Sequence, residues 1–418
     1  MRTGVFLILA MIVSDVFGRV DSLHLAREGA ADHFDRMHAS VLLAETLMPR
    51  QLDSALVLLE EASGLIDDAD GIRKANYYNT LGNYYLFSNE LEQAIHTFRR
   101  VLAMPVSDAL LPEIARAANS AGLLYDMTGQ VDSARHYLEM ALRIDKEREN
   151  RHGVTKSMYD LAMLHYRQDQ YELAMRYLLD VADFQEAEKD TFRLMHTMTL
   201  LGNVYYRLDS AAKAVDHYRL AAVFAAAIGN ERAEAYAWNN LAAYYCTQPD
   251  GLEKTLYYAA KGLELAERIT DYPALMNLNL NIAEAYLTAG RKQDALRYYL
   301  KAYEYYDHQR QPGLQADILI RLGRIYRELG RYRDARQYLE RGLDIAENIN
   351  SLLNQSKAHL QLASIDSVQG DFHNALYHYQ KGKMLADSIL NKETKSRIAE
   401  LQIIYETEKN RLAILELQ

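Results

Sequence analysis

Cysteine occurs once in this chain of 418 residues, tryptophan once and proline six times. The lone Cys246 excludes an internal disulfide and a zinc site built on paired cysteines. Scarce proline leaves long stretches open to helix, because proline removes a backbone donor and clashes with the preceding turn. No basic run is dense enough for a nucleic-acid footprint. The 57 Asp+Glu outnumber the 47 Lys+Arg, and the resulting charge of -10 is spread along the chain. No apolar stretch reaches the roughly 20 residues that a membrane-spanning helix needs. Catalytic signatures are missing as well: there is no P-loop, no GxGxxG, no GxSxG elbow, and the 13 histidines form no HExxH. His33 and His38, like His373 and His378, stand five apart and so fall off a single helix face. These absences predict a non-enzymatic protein with no cofactor and no metal site.

What is present points to a folded, helical molecule. Hydrophobic residues make up 49% and charged residues 25%, outside the range of disordered chains. Tyrosine is abundant, at 31 residues, and suits helix-helix interfaces where the ring packs and the hydroxyl reaches a polar rim. At the N-terminus Arg2 precedes a nine-residue apolar run, Val5 to Val13, and Val16-Phe17-Gly18 follows. That order predicts a signal peptide over residues 1-18, and hence an exported protein, periplasmic or envelope-associated.

Internal repetition sets the architecture. Thr80-Leu81-Gly82-Asn83-Tyr84-Tyr85 recurs as Leu200-Leu201-Gly202-Asn203-Val204-Tyr205, as Asn281-Ile282-Ala283-Glu284-Ala285-Tyr286 and as Arg321-Leu322-Gly323-Arg324-Ile325-Tyr326. The small residue falls at 82, 122, 162, 202, 242, 283, 323 and 363, so the period is 40 with one interval of 41. The extra residue lies in the turn Gln248-Pro249-Asp250-Gly251. A second small residue follows each, as in Ala94, Ala134, Ala214 and Ala335. A large apolar or tyrosine comes four later, from Phe98 and Leu138 through Tyr299 and Leu339 to Tyr379, with Ala259 the one small exception. Small residues on two antiparallel helices allow close approach, and bulky neighbours fill the flanking grooves. Glycine in the polar turns, as at Gly129, Gly290, Gly330 and Gly370, supplies left-handed caps.

The pattern resembles the tetratricopeptide repeat over residues 35-390, with units of 40 residues where the familiar unit has about 34. The resemblance implies an all-α, right-handed superhelical solenoid of about nine antiparallel hairpins. It also implies a concave groove lined by the first helix of each unit, holding a protein or peptide. Carried onto this sequence, the groove positions include Asn79, Asn83, Arg116, Asn119, Tyr159, Tyr166, Arg167, Asn203, Tyr206, Arg207, Asn239, Arg324 and Arg327. An asparagine row at Asn79, Asn119, Asn203 and Asn239 offers amides that both donate and accept, suited to an extended peptide backbone. Bridging between neighbouring helices is the other use for such a row. The peptide reading predicts that alanine at Asn119 and Asn203 weakens ligand binding and barely moves thermal stability.

Beyond the repeats, residues 391-418 read as a charged helix. Ile398, Leu401, Tyr405, Leu412 and Leu415 fall at coiled-coil seam spacing, with Glu408 the polar interruption. The segment predicts either a solvated capping helix or a dimer contact. It is also similar to the linker that ends the extracytoplasmic repeat region of bacterial membrane sensors. The functional expectation is a protein- or peptide-binding scaffold or sensing module of the cell envelope. The alternatives are the input region of a histidine kinase or transcription regulator whose membrane and output domains lie beyond Gln418, and a cytoplasmic peptide receptor. Membrane association is expected only through an uncleaved signal or sequence beyond the chain, and no direct nucleic-acid partner is expected.

Overall fold

Short turns, mostly of three residues, and capping side chains mark where helices start and stop in the computed structural model, which describes residues 20-30, 32-48, 51-306 and 312-391. The expected signal peptide and, Asn391 apart, the charged C-terminal helix lie outside the described residues. Every regular element among the described residues is a helix. An N-terminal helix α1 covers 20-28, and nine hairpins follow. They are α2 His33–Leu47 with α3 Leu52–Ser63, α4 Gly71–Phe87 with α5 Leu91–Leu102, and α6 Leu111–Met127 with α7 Val131–Glu147. Next come α8 Arg151–Arg167 with α9 Tyr171–Ala187, α10 Thr191–Arg207 with α11 Ala211–Ala227, and α12 Glu231–Tyr245 with α13 Leu252–Arg268. The last are α14 Tyr272–Thr288 with α15 Lys292–Glu304, α16 Pro312–Glu328 with α17 Tyr332–Asn348, and α18 Leu352–Val368 with α19 over 372-391.

Local chemistry fixes these boundaries. The first helix of a hairpin, helix A, is usually opened by an Asp or Asn whose side chain accepts a backbone N–H three residues on. Asp70 does so for Arg73, Asp190 for Arg193, Asn230 for Ala233 and Asp271 for Ala274. Helix A ends where the chain turns left-handed. Glycine takes that position at Gly129 and Gly330, with φ of 76° and 74°, and Asp169 and Asp209 take it at 59° and 52°. The sequence marks only the glycine copies. Asp and Asn serve in the others because a short polar side chain tolerates this conformation.

The small residues do what their spacing predicts. A Cβ on Gly323 would lie 2.4 Å from Leu339 Cγ and 3.1 Å from the Ala335 carbonyl oxygen. On Gly122 it would lie 2.7 Å from Leu138 Cγ and 3.2 Å from the Ala134 carbonyl oxygen. The two helices therefore touch backbone to side chain, and any larger residue would wedge them apart.

Contacts divide the chain into two compact units, Met1–Arg167 with Arg176–Phe184, and Gln168–Met175 with Gln185–Gln418. In the first, Phe98, Ile114, Leu124, Leu138 and Leu161 are fully buried between successive hairpins. Arg27 of α1 reaches Ser40 Oγ at 2.9 Å and pairs with Glu61, laying α1 against the first hairpin. In the second, Met195, Val204, Tyr299, Leu319 and Leu339 form the corresponding core. Consecutive A helices touch as well, α4 with α6 in the first unit and α12 with α14 and α16 with α18 in the second. Among the described residues, no helix is long and apolar enough to cross a membrane.

Candidate functional site

Polar residues along the A helices are largely occupied by the neighbouring hairpin. In the first unit Asn79 is fully buried, and its Nδ2 donates to the Glu113 carbonyl oxygen at 2.9 Å and to Glu113 Oε2 at 2.7 Å. Asn119, only 3% exposed, donates to Asp160 Oδ2 at 2.8 Å. Burial raises the Asp160 carboxyl above its ordinary range, and the Asn119 bond and the charge of Lys156 offset part of that. Arg116 donates to Asn76 Oδ1 at 3.2 Å and pairs with Glu45 at 3.3 Å and Glu113 at 3.2 Å. Arg167 pairs with Asp126 of the preceding A helix.

The second unit repeats the scheme. Asn281 Nδ2 donates to Asn239 Oδ1 at 2.9 Å, joining α12 to α14. Asn203 Oδ1 accepts from the Tyr218 hydroxyl at 2.8 Å, joining the two helices of one hairpin. Arg324 donates to both carboxylate oxygens of Glu284 at 2.6 Å and to Tyr299 Oη at 2.8 Å. Burial pushes the Glu284 carboxyl up, but Arg324 and Arg321 outweigh it and hold Glu284 below its ordinary range. Arg327 donates to Gln361 Oε1 at 2.9 Å and Ser364 Oγ at 3.3 Å.

The asparagine row thus serves as a polar seam at Asn79, Asn119 and Asn239. Spacing alone could not separate this use from ligand binding, because the same helix edge faces both the neighbouring hairpin and the open side. Asn119 is sealed against a carboxylate, and on that geometry its replacement is expected to cost stability. Asn83 and Tyr159 are half-buried, and burial pushes the Tyr159 phenol up to about 12. Tyr166 is half-buried beside Arg167.

Tyr206 and Arg207 are different. Tyr206 is 45% exposed and meets Tyr244 edge-on at a centroid distance of 6.5 Å. These two rings, with Arg207, Asp209, Ala211, Thr247 and Gln248, line a recess of ≈ 450 Å³. Arg207 is steered into place by Asp169 at 3.3 Å and lies 4.8 Å above the Tyr171 ring. One wall belongs to the turn that carries the 41st residue. A Cβ on Gly251 would lie 1.9 Å from the Tyr245 carbonyl oxygen, so glycine is what lets this wider turn close. Cys246 beneath it is buried, its thiol donates to the Ala243 carbonyl oxygen at 3.2 Å, and burial pushes it up to about 11. Tyr206 and Arg207 are among the groove positions that the repeat resemblance implies. Tyr244, Thr247 and Gln248 join them in the lining, and the only mark of this in the sequence is the break in period. Among the described residues no group of three His, Cys, Asp or Glu side chains is arranged to hold a metal ion.

Models of the tetratricopeptide repeat match residues 79-149, 154-188 and 314-383. Comparison with curated proteins finds no match. Among solved structures, the apo form of the quorum sensor NprR from B. thuringiensis is similar with a TM-score of 0.63 at 15% identity, covering 90% of this chain and 99% of that one. A Rap protein complexed with competence and sporulation factor gives 0.54 at 15% identity, covering 81% of this chain and 99% of that one. The Rap conjugation gene regulator of plasmid pLS20, in complex with a Phr peptide, gives 0.52 at 15% identity, covering 84% and 96%. At that identity the likeness concerns the fold alone. With three repeat matches along its length and hairpins spaced in one register, this chain is a tetratricopeptide-repeat protein.

Proposed function

We propose that the chain is a non-enzymatic scaffold that holds a peptide, or an extended segment of a protein, against its A helices, as the sensing or scaffold part of a cell-envelope system. The observation that carries this reading is the Tyr206–Tyr244 recess. Most A-helix polar groups are engaged by neighbours, whereas here two partly exposed rings, an arginine and two neutral polar side chains converge at the one widened turn. Edge-on tyrosines give apolar contact at low conformational cost, and Thr247 and Gln248 can satisfy a backbone amide. Support from elsewhere is coarser: two of the similar folds are complexes, one with a sporulation factor and one with a peptide.

Selection of a displayed library of random ten-residue peptides on the full chain, followed by titration calorimetry of the enriched peptides, tests this. Tyr206→Ala should weaken their binding about tenfold, roughly 1.4 kcal/mol, with an unchanged melting midpoint, since the ring is already 45% exposed. Enriched peptides that bind the variant as well as the parent would overturn the assignment. Export rests on residues 1-18. An envelope-fraction band lighter than 47.9 kDa supports it, and a full-length cytosolic band overturns it.

A further inference from the structure

In hairpins five to eight the tyrosine three residues after the small residue of helix A is covered by a cation of the same hairpin. Lys213 lies over the Tyr205 ring at 5.1 Å, Lys254 over Tyr245 at 4.9 Å, Arg291 over Tyr286 at 4.7 Å and Arg331 over Tyr326 at 4.6 Å. Trp238 is covered by Lys261 at 4.5 Å. The face of an aromatic ring is negative and draws a cation to it. Tyr206 and Tyr244, the two rings of the recess, are exposed and half-buried, and neither has such a cation among the described residues.

The recess lacks a counter-charge as well. Asp169 and Asp209 hold the same left-handed turn position in successive hairpins, with φ of 59° and 52°. Asp169 pairs with Arg207 at 3.3 Å, and Arg207 also lies over Tyr171 at 4.8 Å, so this guanidinium is already engaged. Arg207 is the fifth residue after Gly202. The fifth residue after Ala242, where the matching partner of Asp209 belongs, is Thr247, which bears no charge. Asp209 is exposed on the recess lining and has no ion pair among the described residues. Two bare rings and one unpaired carboxylate thus converge where the array elsewhere supplies a cation from its own side chains.

Given that the recess holds the peptide, we infer that it takes a lysine or arginine side chain of that peptide, whose charge meets the Tyr206 and Tyr244 rings and the Asp209 carboxylate. The Thr247 hydroxyl and the Gln248 side-chain oxygen can accept its remaining N–H groups. A ring–cation contact and an ion pair are each modest at an exposed site. Exchanging the basic residue for glutamine should therefore weaken binding about three- to tenfold.

The test titrates the strongest peptide enriched on the full chain from the random ten-residue library, beside the same peptide with its basic residue replaced by glutamine. Both are measured against the parent and two variants. Asp209→Asn keeps the turn, because Asn89 takes the same position in the second hairpin at φ 61°, and it alters one charge in a net of -10. Thr247→Arg returns the array's own cation. The preference for the basic peptide should shrink on Asp209→Asn and vanish on Thr247→Arg, with melting midpoints unchanged. An enriched peptide without a basic residue overturns the inference, and so does a preference undiminished on both variants. If binding still falls on Tyr206→Ala in those cases, the recess remains the peptide site. Binding indifferent to Tyr206→Ala, or no enriched peptide at all, overturns that assignment as well. Preference for an acidic residue would mean that Arg207 faces the ligand. Loss on N-acetylation, with the basic residue replaceable, would give the charge to the peptide's terminus. Either result overturns the side-chain assignment.

Discussion

Asn119 and Asp160 show how a residue that reads as a ligand contact can be a structural one. The amide donates at 2.8 Å to a carboxylate that is only 9% exposed. Asn119→Ala would leave that carboxylate buried without its donor, at about 2 kcal/mol for a hydrogen bond to a charged group, read by chemical denaturation. Asp160→Asn keeps an acceptor and removes the buried charge, so it should leave stability at neutral pH unchanged or raised. A second residue-scale prediction concerns His359, whose Nδ1 lies 2.8 Å from His378 Nδ1. Such a contact needs one neutral ring to accept. Asp366, paired with Arg336, lies on the far side of His378 with Oδ2 at 3.8 Å from its Nε2. Burial first, and then the charges of His378 and Lys381, hold His359 below 6.5. The unfolded chain therefore binds the proton more tightly than the folded one. This contribution to stability is complete above pH 6.5 and declines as pH falls below it. Melting midpoints from pH 7.5 to 5.5 should drop, and His359→Gln should flatten that slope.

At the scale of the helix and the hairpin, most of the architecture was readable from the chain. The 40-residue period, the small-residue pairs and the glycine turns correspond to hairpins in which Gly323 abuts Leu339 and Gly122 abuts Leu138. Three features were not readable. The helix over 20-28 carries no repeat signature, and it is held by Arg27 to Ser40 and Glu61 and by Val20 and Leu23 packed on the core. Left-handed turns at Glu149 and Lys189 lack a glycine to mark them. The partners of the A-helix arginines lie about 40 residues away, as Arg324 and Glu284 do, and spacing alone could not choose between a neighbouring helix and a ligand. The close approach at Gly323 gives a direct test. Gly323→Ala should destabilise by about 1–3 kcal/mol through overpacking, and because the two residues touch, the double variant with Leu339→Ala should lose less than the sum of the two single losses. Losses that simply add in the double variant, measured by urea denaturation, would count against this contact.

On the scale of the whole molecule, a repeat array gains stability from nearest-neighbour interfaces, so damage stays local. Gly323→Ala should raise amide exchange in α16, α17 and their neighbours and leave α4 to α7 unchanged. The proposed function follows the same logic: a regular array is sealed by its own polar seam, and a recess opens where the period breaks. The recess of Tyr206, Tyr244, Thr247 and Gln248 is that break in the described residues. The most direct test places a photo-crosslinking phenylalanine analogue at each position of an enriched peptide and maps the products on the full chain by mass spectrometry. Crosslinks concentrated within 202-211 and 241-251 are the predicted result. Crosslinks confined to the second helices of the hairpins, or spread evenly along the chain, would contradict the account.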